Sequence, residues 1–308
     1  MNNKDTPTVD IEKAIKNCYS TWGEVYYDEY YGDGAPYPPV HLNLIKSILN
    51  DAGSKRVLDA GCGPASMLRH FLQKGREIYG FDLTPEMVLE AKRVMGQLGV
   101  PESHVWEASV LNPSGYFCDS ANDDKYDAIV SCGVFPHLRE EDEIVAISNI
   151  YNSLMPGGLA IVEARNALFS LFALNRHTYE FFTEKLIPVE ELRGFATNEE
   201  NVKLEVALEQ LKAQLRTDLP PIRKGKAGEL GYDEVLSRLH NPLELERVFK
   251  EVGFQEVEVV FYHFHSLPPQ FSGSIRNLFL QGSINMEENP RDWRGYFMAS
   301  AFCVVAKK

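Results

Sequence analysis

Five short runs rich in β-branched and aromatic residues recur between residues 55 and 165, alternating with stretches of helical period. Strands joined through helices lie parallel, and the helices cover the faces of the sheet they connect. The spacing predicts strands over 56–59, 77–82, 104–108, 126–132 and 159–164, with helices over 66–74, 85–98 and 141–154. Thr84 before Pro85 reads as a helix start, an N-cap hydroxyl followed by a residue with no N–H to leave unpaired. Pro156-Gly157-Gly158 reads as the turn that stops the third helix and feeds the fifth strand. These elements make an α/β core.

After Arg165 the rhythm gives way to a long helical tract, residues 166–239, broken by Leu219-Pro220-Pro221 and by Arg223-Lys224-Gly225-Lys226-Ala227-Gly228. A helix over 242–252, a stop at Gly253, a strand over 256–265 and a last apolar strand over 296–306 follow. The last strand is reached through a polar loop around Asn289-Pro290-Arg291, with no crossover helix evident. The tract therefore reads as an insertion between two strands of one sheet, giving an N-terminal aromatic cap over 1–54, a core over 55–165 and 240–308, and a helical insertion over 166–239. At 308 residues and 44% hydrophobic, the chain is long and apolar enough for a large packed core, which excludes a disordered tail or a disulfide-stapled miniprotein.

Its 31 basic and 44 acidic residues leave a net charge of −13, which argues against a broad nucleic-acid or anionic-membrane surface while allowing a local basic pocket. The opening Met1-Asn2-Asn3-Lys4-Asp5 has no apolar export segment, and no run approaches a membrane span, so a soluble cytoplasmic protein is expected. Five cysteines without a Cys-x-x-Cys pair suggest reduced thiols, neither a disulfide framework nor a zinc knuckle.

Within the core, Val57-Leu58-Asp59-Ala60-Gly61-Cys62-Gly63-Pro64-Ala65 places a carboxylate at a strand end and two glycines in the turn that follows. Open parallel sheets bind ligands at the carboxyl ends of their strands, and glycines there let a ligand approach the backbone. The dinucleotide fingerprint needs a third glycine where Ser66 stands, and a phosphate loop would need Gly-Lys-Ser/Thr. Asp59 would repel a pyrophosphate but suits a cationic amino group. At the second strand end Asp82 can accept from two ribose hydroxyls, and at the third Glu107 can accept from an exocyclic amine. Each acid taken alone also reads as a helix cap.

Together these segments resemble the class I S-adenosylmethionine-dependent methyltransferases, over about 55–165 and 242–308. The resemblance implies a Rossmann-like seven-stranded sheet in the order 3-2-1-4-5-7-6, with the last strand antiparallel and helices on both faces. It implies S-adenosylmethionine as cofactor and S-adenosylhomocysteine as product. Asp59 and the Gly61, Cys62 and Gly63 backbone would face the methionine part, Asp82 the ribose, Leu83 and Met87 the adenosine pocket, and Glu107 with Ala108 the adenine. Ala65 and Glu107 depart from the family's usual Gly and Asp. The aromatic segment from Tyr19 to Tyr31 suits a cap over the nucleoside, with Tyr19, Tyr26 or Tyr30 near it, or equally an amphipathic helix packed on the core.

In the family the loop Ser131-Cys132-Gly133-Val134-Phe135-Pro136-His137 lies beside the sulfonium. His137 could move the acceptor's proton or simply orient the loop through a backbone bond. Arg165 could bind an anionic group or pair with a neighbouring acid. His263 and His265 share a strand face as further candidate bases; no third ligand joins them, so no metal is expected. The expectation is methyl transfer to a small-molecule or sugar-like acceptor at oxygen, with the insertion as lid. Amine methylation, carboxylate or phosphate methylation, and non-catalytic cofactor binding are the alternatives. An anionic acceptor follows if Arg165, Arg176 and the 223–228 loop converge, and a homodimer is allowed for.

Overall fold

The computed structural model describes residues 8–20, 22–32, 35, 37–117, 125–218, 230–231, 234–271 and 273–308. The basic stretch 223–228 and Leu219-Pro220-Pro221 lie outside the described residues.

Seven strands, β1 (Arg56–Ala60), β2 (Glu77–Asp82), β3 (Val105–Glu107), β4 (Tyr126–Ser131), β5 (Leu154–Arg165), β6 (Gln255–Phe264) and β7 (Ala299–Lys307), form one sheet in the order β3-β2-β1-β4-β5-β7-β6. β1 pairs in parallel with β2 and β4, β2 with β3, and β4 with β5. β7 runs antiparallel to β5, because Gly157 N–H donates to the Lys308 carbonyl while Asn166 N–H donates to that of Ser300. Helices cover both faces, as the alternating sequence requires. The apolar runs of β1, β4 and β5 are buried, which explains why they read as continuous rather than alternating.

Ahead of β1 come α1 (Thr8–Tyr19), α2 (Gly23–Tyr30) and α3 (Val40–Asp51). The crossovers carry α4 (Pro85–Gln97) and α5 (Glu140–Ser153). α4 begins at Pro85, as the Thr84-Pro85 pair predicts, although the Thr84 side chain makes no cap bond.

Two expectations fail. The predicted helix over 66–74 is a set of turns around a short 3₁₀ segment, Leu68–His70. The Arg69 guanidinium donates to the carbonyls of Pro64 at 3.1 Å and Ala65 at 3.0 Å, and the following turns close through i→i+3 bonds such as His70 N–H to Met67. The loop before β7 does contain a helix, α11 (Arg276–Glu287), after α10 (Pro242–Val252) and before α12 (Gly295–Met298). Its helical pattern was masked by Gly282, whose Cβ, if present, would lie 2.7 Å from Ser266. The Pro156-Gly157-Gly158 turn is a bulge inside β5, between the pairs Tyr126–Leu154 and Ala128–Leu159.

The chain divides into two compact units. The first is Met1–Arg165, Ile222–Val260 and Phe302–Lys308; the second is Asn166–Pro221 and Phe261–Ala301. The second holds α6 (Ser170–Ala173), α7 (Arg176–Phe181), α8 (Val189–Phe195) and α9 (Asn198–Ala213), together with α11 and α12. No helix among the described residues is long and apolar enough to cross a membrane.

Candidate active site

The carboxyl ends of β1, β2 and β4 open into a cleft of about 1060 Å³ within the first unit, its solvent-open part included. Its floor is the glycine turn. Gly61 and Cys62 N–H groups both donate to the Phe81 carbonyl, at 2.8 and 2.9 Å, so the turn is stitched to β2. Gly61 sits at φ +92, and a Cβ there would lie 2.2 Å from Val134 Cγ2, so neither the backbone nor the space admits a side chain.

The two strand-end acids differ in their surroundings. Asp82 Oδ2 accepts from Gly63 N–H and Oδ1 from Thr84 N–H, both at 2.8 Å; burial raises its pKa while these bonds act against the rise. Asp59 is 2% exposed, and its carboxyl group makes no hydrogen bond among the described residues. Burial, with Asp82 nearby, pushes its pKa up to about 8. A buried carboxylate without a donor is costly unless a cation completes the site. Ser66 Oγ, also buried and lining the cleft, has no hydrogen-bond partner among the described residues. These groups fit a ligand that brings a positive amino group to the turn.

The cap contributes Tyr19, Tyr26 and Tyr31 to the lining, with Ile11, Glu12 and Ile15 of α1. Trp22, 2% exposed, packs on Met87 as the centre of this arrangement, with Tyr19 stacked at 5.3 Å and Tyr26 edge-on at 5.3 Å. Tyr30 stacks on Tyr26 and is 41% exposed, outside the lining. Tyr31, absent from the predicted set, lines the cleft with its hydroxyl 2.9 Å from His41 Nε2.

His137 is buried in the lining. Its Nδ1 lies 2.7 Å from the Leu236 carbonyl and its Nε2 3.1 Å from the Tyr19 hydroxyl. Burial, and next to it the charge of Arg165, lower its pKa to about 4.

The structure thus gathers Asp59, Gly61, Cys62, Gly63, Asp82, Leu83, Met87, Ala108, Tyr19, Tyr26 and His137 around one cavity. Four predicted residues do not line it. Glu107 takes Lys16 at 2.8 Å, and Ser109 beside it donates to Glu12 at 2.6 Å, so α1 is tied to the end of β3. Ser131 is buried with its hydroxyl on the Ala60 carbonyl, 2.9 Å away. Arg165 donates to Ser237 Oγ at 2.8 Å. His263 belongs to the second unit, at φ +55, with a pKa lowered to about 4 by burial. No group of three or more metal-ligating side chains occurs among the described residues.

Residues 57–158 match the family model described as a methyltransferase domain. A ubiquinone biosynthesis O-methyltransferase of Pasteurella multocida is 23% identical over 184 residues, covering 56% of this chain and 70% of that protein. The tRNA N(3)-methylcytidine methyltransferase trm140 of Schizosaccharomyces pombe is 28% identical over 162 residues, 47% of this chain and 50% of that one. Among solved structures, magnesium protoporphyrin IX methyltransferase from Synechocystis with bound S-adenosylhomocysteine aligns over 97% of this chain and all of its own, at a TM-score of 0.50 and 14% identity. That likeness speaks for the fold. With the strand order and the glycine turn between two strand-end acids, the matched residues 57–158 form a methyltransferase domain of the class I S-adenosylmethionine-dependent kind.

Proposed function

We propose that the enzyme methylates a small-molecule acceptor at oxygen, and that Asp59 is the residue that makes the cleft a cofactor site. The observation that carries this reading is the buried carboxyl beside the glycine turn, which accepts no hydrogen bond among the described residues and which a bound cation would hold in its charged form. Asp59 would hold the amino group, Asp82 the ribose hydroxyls through its remaining lone pairs, and Leu83, Met87 and Ala108 the apolar flanks of the nucleoside. When bound, S-adenosylmethionine would supply an electrophilic methyl to the acceptor oxygen, the sulfur keeping the pair of the broken bond and the acceptor's proton passing to water.

The chain's own residues would then work by placement. Aligning nucleophile and methyl in a closed cleft converts a bimolecular encounter into a positioned one, worth several kcal/mol of barrier on the order of 7–11 in favourable cases. Tyr19, Tyr26 and Tyr31 line the cleft, and electron-rich ring faces suit a cationic sulfur. The lining described contains no Lys or Arg, which favours an uncharged acceptor over a carboxylate or phosphate.

The test has two parts. S-adenosylhomocysteine should bind in calorimetry, and Asp59→Ala and Asp82→Ala should each abolish the heat; unchanged binding in both variants defeats the cofactor assignment. Radiolabelled S-adenosylmethionine incubated with separated small-molecule and tRNA fractions should then label the first. Label in the tRNA fraction would turn the reading toward the activity named in the S. pombe relative.

A further inference from the structure

Resting on the cofactor reading above, we infer that Glu12 of α1, and not Glu107 of β3, reads the amino edge of the cofactor's base, so that the cleft takes a base with an exocyclic amine and rejects one with an oxo group in its place. The strand order places the ligand. Asp59 stands at the end of β1 and Asp82 at the end of β2, and β3 lies beyond β2 at the edge of the sheet. A ligand with its amino group at Asp59 and its ribose at Asp82 therefore carries its base toward the end of β3. There Ala108 and Val110 line the cleft together with Ile11 and Ile15 of α1. Such apolar walls hold a ring without choosing among bases. Of the two other acids in the lining, Asp142 stands on α5, which leaves Glu12 at the β3 end.

The helical period explains why the two glutamates part. Glu12 and Lys16 lie one turn apart on α1 and share a face, which meets the end of β3. Lys16 Nζ donates to Glu107 at 2.8 Å, an exposed pair that holds Glu107 outside the lining. One turn back, Ser109 Oγ accepts from Leu111 N–H at 3.1 Å and gives its own proton to Glu12 Oε1 at 2.6 Å. This bond fixes the Glu12 side chain at the cleft wall and makes Ser109 a positioning residue. A carboxylate offers about four acceptor positions, and Ser109 takes one of them. Toward the cleft that it lines, Glu12 can accept from an N–H and repels an oxo oxygen. Neither β3 nor the turn after it offers the base a second carboxylate in the lining.

Calorimetry with two ligands tests this. The wild-type protein should bind S-adenosylhomocysteine at least about tenfold tighter than S-inosylhomocysteine, which carries an oxo group where the amine stands. Glu12→Gln keeps the shape but has an amide that can turn a donor toward the oxo group, so it should bring the two affinities to within about threefold. Glu107→Gln should leave the wild-type preference as it is. An acid that only held α1 in place would, on substitution, lower both affinities together and leave their ratio unchanged. Equal binding of the two ligands by the wild type overturns the inference. So does a preference that survives in Glu12→Gln or collapses in Glu107→Gln, or the loss of both ligands in Glu12→Gln. Failure of the wild type to bind S-adenosylhomocysteine defeats the cofactor reading itself, and this inference with it.

Discussion

Asp59 and Asp82 end neighbouring strands on either side of one glycine turn, yet only Asp82 is held by backbone N–H groups. The turn therefore has one acid that builds it and one that is held in readiness. With a pKa of about 8 against an ordinary 3.8, Asp59 is favoured as the neutral acid in the fold. Its contribution to stability is present at low pH and is lost as pH rises from about 4 through about 8, at a slope of up to about 1.4 kcal/mol per unit. Asp59→Asn should raise the unfolding midpoint of the cofactor-free protein at pH 8, leave it little changed at pH 4, and abolish cofactor binding. Denaturant titrations at the two pH values check the first part and calorimetry the second.

The same turn predicts a coupling. Gly61→Ala places an alanine at φ +92 and its methyl against Val134, so the variant should lose at least about 2 kcal/mol. Val134→Ala added to it removes the clashing methyl and leaves only the backbone strain, on the order of 1–2 kcal/mol. A double-mutant cycle on denaturation should thus give a favourable interaction energy; strict additivity would show that the backbone alone explains the glycine.

Much of this site was legible because its acids follow apolar strands directly and its glycines interrupt them. Asp59, Asp82, Gly61 and Gly63 could be placed from chain order alone, since a parallel sheet aligns all strand ends on one edge. What could not be read depends on pairs far apart in the chain. Glu107 was assigned to a nucleobase because nothing local shows Lys16 arriving from α1. The carbonyl that sets the His137 tautomer comes from Leu236, 99 residues away. The lost helix over 66–74 has a local origin instead, for Arg69 looks like an ordinary helix residue until its guanidinium turns back on the carbonyls of the glycine loop four and five residues before it. Tyr31 stood among six aromatic residues with nothing in their spacing to select it.

In the second unit the Asn166 side chain ties together several stretches of backbone. Its Nδ2 donates to the carbonyls of Gly295 at 3.1 Å, Tyr296 at 2.9 Å and Ala299 at 2.8 Å, and its Oδ1 accepts from Leu168 N–H at 3.0 Å. Asn166→Ala leaves buried carbonyls unpaired and should cost about 2–4 kcal/mol in denaturant unfolding. Asn166→Asp should cost more at pH 7, where a carboxylate faces three carbonyl oxygens, and should recover part of the loss as pH falls and the acid protonates. A cost that does not change with pH would contradict the donor role of Nδ2.

Acid should act on the histidines in the opposite sense to Asp59. His137, His263 and His265 are each lowered from 6.5 to about 4 by burial, so the unfolded chain takes up protons that the fold refuses. Stability should fall as pH drops from about 6.5 toward 4, and His265→Phe should reduce that dependence while leaving the alkaline behaviour unchanged. Thermal unfolding of the cofactor-free protein across this range measures it.

Cofactor binding should move a proton. At pH 7 an acid with a pKa near 8 is mostly protonated, yet pairing with the ammonium group requires the carboxylate. Binding S-adenosylhomocysteine should therefore release up to one proton, and the affinity should rise with pH until about 8 and then level off. Calorimetry in two buffers of different ionisation enthalpy at pH 7 should give heats that differ by that release. Asp59→Glu, which keeps the charge but lengthens its reach, should retain proton release with weaker affinity. Equal heats in both buffers, with wild-type affinity independent of pH, would mean that Asp59 stays neutral in the complex and that another group meets the cation.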